Sequence, residues 1–319
     1  MAETGQDLFQ AAEWLRKGEL VAIPTETVYG LAANAFDAIA VSKIFAVKNR
    51  PSFNPLILHT SKIERVYQFV QHIPDKLKAL AEKFWPGPLT LLLQKKEVVP
   101  DLVTAGLPTV AVRIPGHPLT LQLLDSLQFP LAAPSANPFK YISPTTPLHV
   151  DQQLGDKIPY ILDGGPCKVG IESTIVGVEQ NEIVVYRLGG IDLESLQASL
   201  NENFRIKPIS SSQPSSPGML RQHYSPNKKI IIGDPRELIK SHPALEVGIL
   251  AFKNKVEGVK AEHQVILSSD GNLAEAATAL FAALRHLDKL PITVIFAELL
   301  PEHGLGRAIN DRLKRASAI

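Results

Sequence analysis

The chain has 319 residues, 45% of them hydrophobic, so it is long enough for two folded domains and too apolar for wholesale disorder. Its 33 basic and 32 acidic side chains leave a net charge of +1, which excludes a global pull toward nucleic acid or anionic membrane and confines any polyanion site to a local patch. The single cysteine, Cys167, excludes an internal disulfide and fits a reducing compartment.

Asp7 is placed to cap a first helix, whose apolar face is Leu8, Ala11, Ala12 and Leu15 and which Gly18 ends. A short buried strand over 20–23 follows, then helical spacing over 37–48 with Asp37 as its cap. Residues 56–59 read as a strand, and 61–70 and 74–84 as helices. Further strands are expected at 89–94, 109–114, 130–133, 160–163, 173–178 and 182–188, with helices at 118–128 and 147–155. The last two of those strands have hairpin-like sequence, which makes the sheet mixed rather than parallel. From Pro208 the texture turns to Ser and Pro, the composition of an extended linker over 208–228. Beyond it, strands at 229–233, 247–252, 265–268 and 292–298 alternate with helices, the pattern of a small parallel α/β sheet. No apolar run approaches the roughly 20 residues that span a bilayer, and the acidic, amphipathic start is unlike a secretory or transit peptide. A cytoplasmic location and no membrane partner are expected.

The common chemical motifs are missing. Gly165 to Gly170 has the spacing of a phosphate loop but lacks the lysine, and Gly304-Leu-Gly306 lacks the third glycine of a dinucleotide fingerprint. Zinc-hydrolase pairs, paired C-x-x-C and the serine-hydrolase elbow do not occur. Polar clusters instead recur just past apolar strands, where α/β sheets bind ligands. Pro24 to Gly30, with Thr27, reads equally as a turn. Lys48 and Arg50 end a helix whose dipole favours cations there. Arg113 lies on an apolar strand and needs an anion, either a ligand carboxylate or phosphate or a structural Asp or Glu. His59 ends its strand and reads most simply as a satisfied histidine. Taken singly, Ala133-Pro134-Ser135-Ala136-Asn137, Glu172-Ser173-Thr174 and Arg187-Leu-Gly189-Gly190 are weak signals; Trp85-Pro86-Gly87 reads as a packed corner. As an ensemble, Lys48, Arg50, Arg113 and Arg187 beside hydroxyl and amide donors suit a polyphosphate held without a phosphate loop. The residues by themselves reach as far as an anionic small-ligand site.

In order along the chain, PTETVYGLAANA (24–35), KNRPSFNPLILH (48–59), FWPGPLTLLL (84–93), TVAVRIPGHP (109–118), LAAPSANP (131–138), SPTT (143–146), DGGPCKVGIESTIV (163–176) and YRLGGI (186–191) closely resemble the YrdC-like threonylcarbamoyladenylate synthases. SPGM…HYSP (216–226), LFAALRHLD (280–288) and HGLGRAINDRLKRA (303–316) resemble the family's long, two-domain branch. The resemblance implies a catalytic domain at 1–207 built on a twisted open mixed sheet with a basic concave site. It makes 208–228 a linker and active-site lid, and 229–319 a smaller Rossmann-like α/β domain. It further implies synthesis of threonylcarbamoyl-AMP and pyrophosphate from L-threonine, bicarbonate or CO2, and ATP, with Mg2+ accompanying the nucleotide. A downstream transferase complex would then modify tRNA next to the anticodon. Carried over residue by residue, Thr27, His59, Arg113, Ala133 and Ser173 would hold threonine. Lys48, Arg50, Asn54, Thr109, Ser135, Asn137, Ser143, Arg187 and Tyr224 would hold ATP, with His223 beside Tyr224 in the lid. No covalent nucleophile is implied; Lys48, Arg50 and Arg113 would act by positioning, and metal ligands remain unassigned. Leu220, Arg221 and Gln222 depart from the family's Lys-Tyr-Arg in the lid, and Asn137 to Ser143 lacks its Ser-Gly step. The readings that compete are an RNA-binding module, with weak RNA contact at the basic concavity, and carbamoyl transfer to another acceptor.

Overall fold

The computed structural model describes residues 1–207, 216, 223–241 and 246–318. Leu220, Arg221 and Gln222 of the expected lid lie outside the described residues. Among the described residues no helix is long and apolar enough to cross a membrane.

Eleven strands form the first sheet: β1 (Glu3–Gly5), β2 (Val21–Ile23), β3 (Gly30–Asn34), β4 (Ile57–His59), β5 (Leu89–Gln94), β6 (Thr109–Arg113), β7 (Leu131–Ala132), β8 (Tyr160–Leu162), β9 (Thr174–Glu179), β10 (Glu182–Arg187) and β11 (Arg205–Ile206). Their order is β1-β8-β2-β3-β7-β4-β6-β5-β9-β10-β11. The sheet is mixed: β4 runs parallel to β6, while β2 and β3, β3 and β7, and β9 and β10 are antiparallel. Gln180 and Asn181, both at positive φ, make the two-residue reversal between β9 and β10, the backbone twist that matches a tight hairpin.

Helices α1 (Leu8–Arg16), α2 (Ala38–Lys48), α3 (Ile63–Val66), α4 (Asp75–Phe84), α5 (Asp101–Thr104), α6 (Pro118–Ser126), α7 (Pro147–Leu154) and α8 (Leu193–Leu200) cover it. The two expected caps form: Asp7 accepts from the Phe9 and Gln10 amides, Asp37 from those of Ile39 and Ala40. Trp85-Pro86 is a packed corner, with the indole Nε1 donating to Leu89 O at 2.8 Å. One local expectation fails. The helix over 61–70 shrinks to α3, because Val70 turns aside to bridge Lys95 at the sheet. The expected turn over Pro24 to Gly30 is real, yet the chain returns from it directly as β3, a strand of small residues with little β signal of its own.

The second sheet holds β12 (Lys229–Ile232), β13 (Val247–Ala251), β14 (Gln264–Ile266) and β15 (Val294–Ala297), all parallel in the order β12-β15-β13-β14. Its helices are α9 (Pro235–Leu238), α10 (Leu273–Lys289) and α11 (Gly306–Ala316). The apolar faces of α10 and α11 join a core that also takes in Val28, Ile142 and Ile171 from the first sheet's loops, so the two halves share buried surface. Gly170 sits in that seam at φ +80, and a Cβ there would lie 2.4 Å from Thr278 Cα. Only glycine lets the two backbones approach so closely. Polar side chains cross beside it. Arg285 of α10 donates to the carbonyls of Ile142 and Ser143, and Thr278 Oγ1 to Lys168 O at 2.8 Å. Arg312 of α11, fully buried, reaches Glu172 Oε2 through Nε at 3.2 Å and Nη2 at 3.1 Å.

Candidate active site

Strands β4 and β6 end in register at His59 and Arg113, and the turns after β2 and β7 bring Thr25, Thr27, Ala133 and Ser135 to the same edge. A β-bridge from Gly30 to Ser135 ties those two turns together. Ser173, at the start of β9, and Arg187, at the end of β10, close the opposite wall, and Arg50 enters after α2. His223 and Tyr224 roof the cavity, which leaves about 60 Å³ for the centres of water-sized molecules.

One end of the cavity suits a small polar ligand. Thr25 Oγ1 accepts the Thr27 and Val28 amides, a hydroxyl-capped turn that aims the Thr27 hydroxyl inward. Arg113 Nη1 donates to Thr27 Oγ1 at 2.9 Å and Nε to Gly87 O at 3.1 Å, while Nη2 stands 2.7 Å from Glu26 Oε1. That ion pair is close but off the line of a hydrogen bond, so both atoms retain bonding capacity. The sequence left ligand and structural anions equally open for Arg113; the structure supplies Glu26, whose Oε2 also accepts the Gly116 amide. Ala133 presents only a methyl, since its N–H is given to Ile57 O.

His59 Nδ1 lies 3.2 Å from Ile57 O, and burial, followed by the Arg113 charge, pulls its pKa down to about 3. The imidazole is therefore a neutral wall of the site near pH 7. The unfolded chain takes up a proton there near pH 6.5, the folded chain only near 3. Stability from this group is complete above 6.5 and is lost as the pH falls toward 3, by about 2 kcal/mol at pH 5. Denaturant midpoints at pH 7 and 5 are expected to separate less in His59→Gln than in the unaltered chain; equal separations would remove this role.

The other end is cationic. Lys48 is the last residue of α2, but its Nζ turns inward to the carbonyls of Ser135, at 2.5 Å, and Asn137, instead of decorating the helix end. Burial, then the Arg50 charge, pushes its ammonium well below the ordinary lysine range. Arg50 donates to the carbonyls of Asn54 (3.2 Å) and Pro55 (2.8 Å), and Arg187 to Ser173 O and, at 3.0 Å, Ser173 Oγ. Burial, then their mutual repulsion in the case of Arg50, brings these guanidiniums to about 9 and about 10, still charged at neutral pH. Glu172 answers part of this charge, accepting from Ser143 Oγ at 2.6 Å and from Arg312. Around it, buried polar atoms are left without partners: both amide atoms of Asn54, and Asn137 Oδ1. Such atoms carry a desolvation penalty that a polar ligand would relieve.

Of the residues singled out from the sequence, Thr27, Arg50, His59, Arg113, Ala133, Ser135, Ser173, Arg187 and Tyr224 share the cavity wall. Lys48, Asn54, Asn137 and Ser143 stand directly behind it, bonded to its members or orphaned beside them. Thr109 stands apart: it begins β6 opposite Gln94, roughly 13 Å of extended strand away from Arg113. Sequence reasoning passed over Glu26, Glu172 and Arg312 as chemistry. The first two lay inside segments already singled out, but the Glu172–Arg312 contact spans 140 positions, beyond any local pattern.

The family described as Telomere recombination (Sua5/YciO/YrdC) matches residues 13–189, and the threonylcarbamoyl-AMP synthase C-terminal domain matches 191–318. A threonylcarbamoyl-AMP synthase of Pyrococcus abyssi is 41% identical, covering 96% of this chain and 93% of its own. The chain belongs to the threonylcarbamoyl-AMP synthase family. A second such synthase, from Bacillus subtilis, is also 41% identical over 97% of this chain and 92% of its own. The crystal structure of P. abyssi Sua5 complexed with L-threonine superposes with a TM-score of 0.92 at 39% identity, covering 99% and 97% of the two chains. The two-domain architecture is thus that of the family's long members.

Proposed function

We propose that this chain is an L-threonylcarbamoyladenylate synthase, a nucleotidyltransferase acting on L-threonine, CO2 or bicarbonate, and ATP. The observation that carries the reading is a single buried cavity with two unlike ends. Hydroxyls, a neutral imidazole and Arg113 stand at one end, and Arg50 and Arg187 at the other. Arg113 receives the threonine carboxylate, with Glu26 fixing the guanidinium, and Thr27, Ser173 and the neutral His59 surround the side chain and amine. The neutral amine attacks CO2, forming the N–C bond and releasing a proton. A carbamate oxygen then attacks the α-phosphorus in line, the bridging bond to the β-phosphate breaks, and pyrophosphate leaves. Arg50 and Arg187, backed by Lys48, lie where negative charge grows. In this reading His223 and Tyr224, over the cavity, help keep water from the carbamate and the mixed anhydride.

The donor set argues against a protein-held Mg2+. Among the described residues no three His, Cys, Asp or Glu side chains gather, and Glu172 of the cavity wall and Glu26 beside Arg113 are each held by arginine. In this reading Mg2+ arrives as part of the MgATP substrate. The product feeds a transferase that acts on tRNA, in the cytoplasm. Purified protein with MgATP is expected to release pyrophosphate only when L-threonine and bicarbonate are both present, and much less with L-serine. Turnover indifferent to threonine would overturn the reading in favour of RNA binding or another carbamoyl acceptor.

A further inference from the structure

Tyr224, held at φ 64 in the cavity roof, is enclosed by groups of the C-terminal domain. Phe281 of α10 stacks on its ring at 5.5 Å, and the guanidiniums of Arg312 and Arg315, both on α11, lie 5.4 and 5.0 Å from the ring centre. The two arginines are not equivalent. Arg312 is fully satisfied, with Glu172, Leu188 O and Asp311 as partners. Arg315 is only 3% exposed, yet its Nε and Nη2 have no hydrogen-bond partner. Its Nη1 reaches Asp311 Oδ2 at 3.3 Å, an oxygen that Arg312 holds more closely, at 3.1 Å. The neighbouring His223 cannot answer this charge. Its amide donates to Arg315 O at 3.3 Å, its Nδ1 is itself buried without a partner, and burial, then Arg315, keeps the ring neutral. Arg187, which the Arg315 charge pushes down, adds a further cation on the cavity side.

A buried guanidinium with two idle nitrogens and half a share of one carboxylate destabilises the fold that holds it. Such a group is retained where it serves a ligand, because binding sites are not tuned for stability. We infer that Arg315 is an anion-binding residue of the active site, contributed by the C-terminal domain to grip the terminal phosphates of the nucleotide and the departing pyrophosphate. Its planar fork matches two phosphate oxygens at once. The inference rests on the proposed synthase reading and extends it: α11 becomes part of the nucleotide site, not merely a support for the roof.

The test is calorimetric titration of the whole chain with inorganic pyrophosphate and with MgATP, alongside melting of the ligand-free protein, for the unaltered chain, Arg315→Met and Arg315→Lys. The methionine variant is expected to bind pyrophosphate at least tenfold more weakly while its ligand-free melting temperature holds or rises, and lysine to restore part of the affinity. Those opposite signs are what a ligand-serving charge produces and a structural one does not. Unchanged pyrophosphate affinity in Arg315→Met, or a lysine variant no better than methionine, overturns the inference. An unaltered chain that binds neither ligand would instead sink the synthase reading itself.

Discussion

Arg113→Met is expected to lower threonine-dependent pyrophosphate release by a hundredfold or more. Among the described residues the guanidinium is the one cation at the small-ligand end of the cavity, and removing one partner of a desolvated charge pair typically costs about 2–5 kcal/mol. Part of that figure would be folding energy, because Glu26 would be left buried beside an apolar side chain. Arg113→Met combined with Glu26→Gln separates the two effects. The pair is neutral and comparable in volume, so its melting behaviour should approach that of the unaltered chain while threonine-dependent turnover stays lost. Recovery of turnover in the double variant would mean that Arg113 serves the fold and that the threonine carboxylate is bound elsewhere.

The second large effect is expected at the domain seam. Arg312→Ala removes both nitrogens that hold Glu172 and strands that carboxylate next to Ser143 in the interior, for a loss of about 3–5 kcal/mol in denaturant unfolding. Glu172→Gln added to it should return a good part of the loss, since an amide needs no counter-charge. A ΔΔG for Arg312→Ala within the range of a surface substitution, about 0.5 kcal/mol, would show the contact to be incidental.

Much of the fold was legible because it rests on local rules. Asp7 and Asp37 cap their helices as short side chains with free oxygens do, and the four apolar runs of the C-terminal half all become strands. What escaped was decided at a distance. The small residues of β3 form a strand because β2 and β7 flank them, and the helical pattern at 61–70 yields to the bridge between Val70 and Lys95. At the site, charge and spacing reached an anionic small-ligand cavity, and only the resemblance to a family separated threonine from nucleotide contacts. Buried arginine on an apolar strand was a sound physical cue, but its structural partner, Glu26, arrives from a turn 87 positions upstream of Arg113, in sequence that reads as loop. Arg312 and Arg315 share α11 with Arg307 and Lys314. Nothing local distinguishes an arginine that faces solvent from one that faces a domain.

At Gly170 the two halves of the molecule touch main chain to main chain, with no side chain of the glycine between them. Most contacts between domains are cushioned: a lysine swings, a leucine changes rotamer, and the gap opens by degrees. Here there is nothing to swing. The seam therefore has no tolerance for bulk: a methyl group at position 170 would meet Thr278 Cα at 2.4 Å and force the two backbones apart.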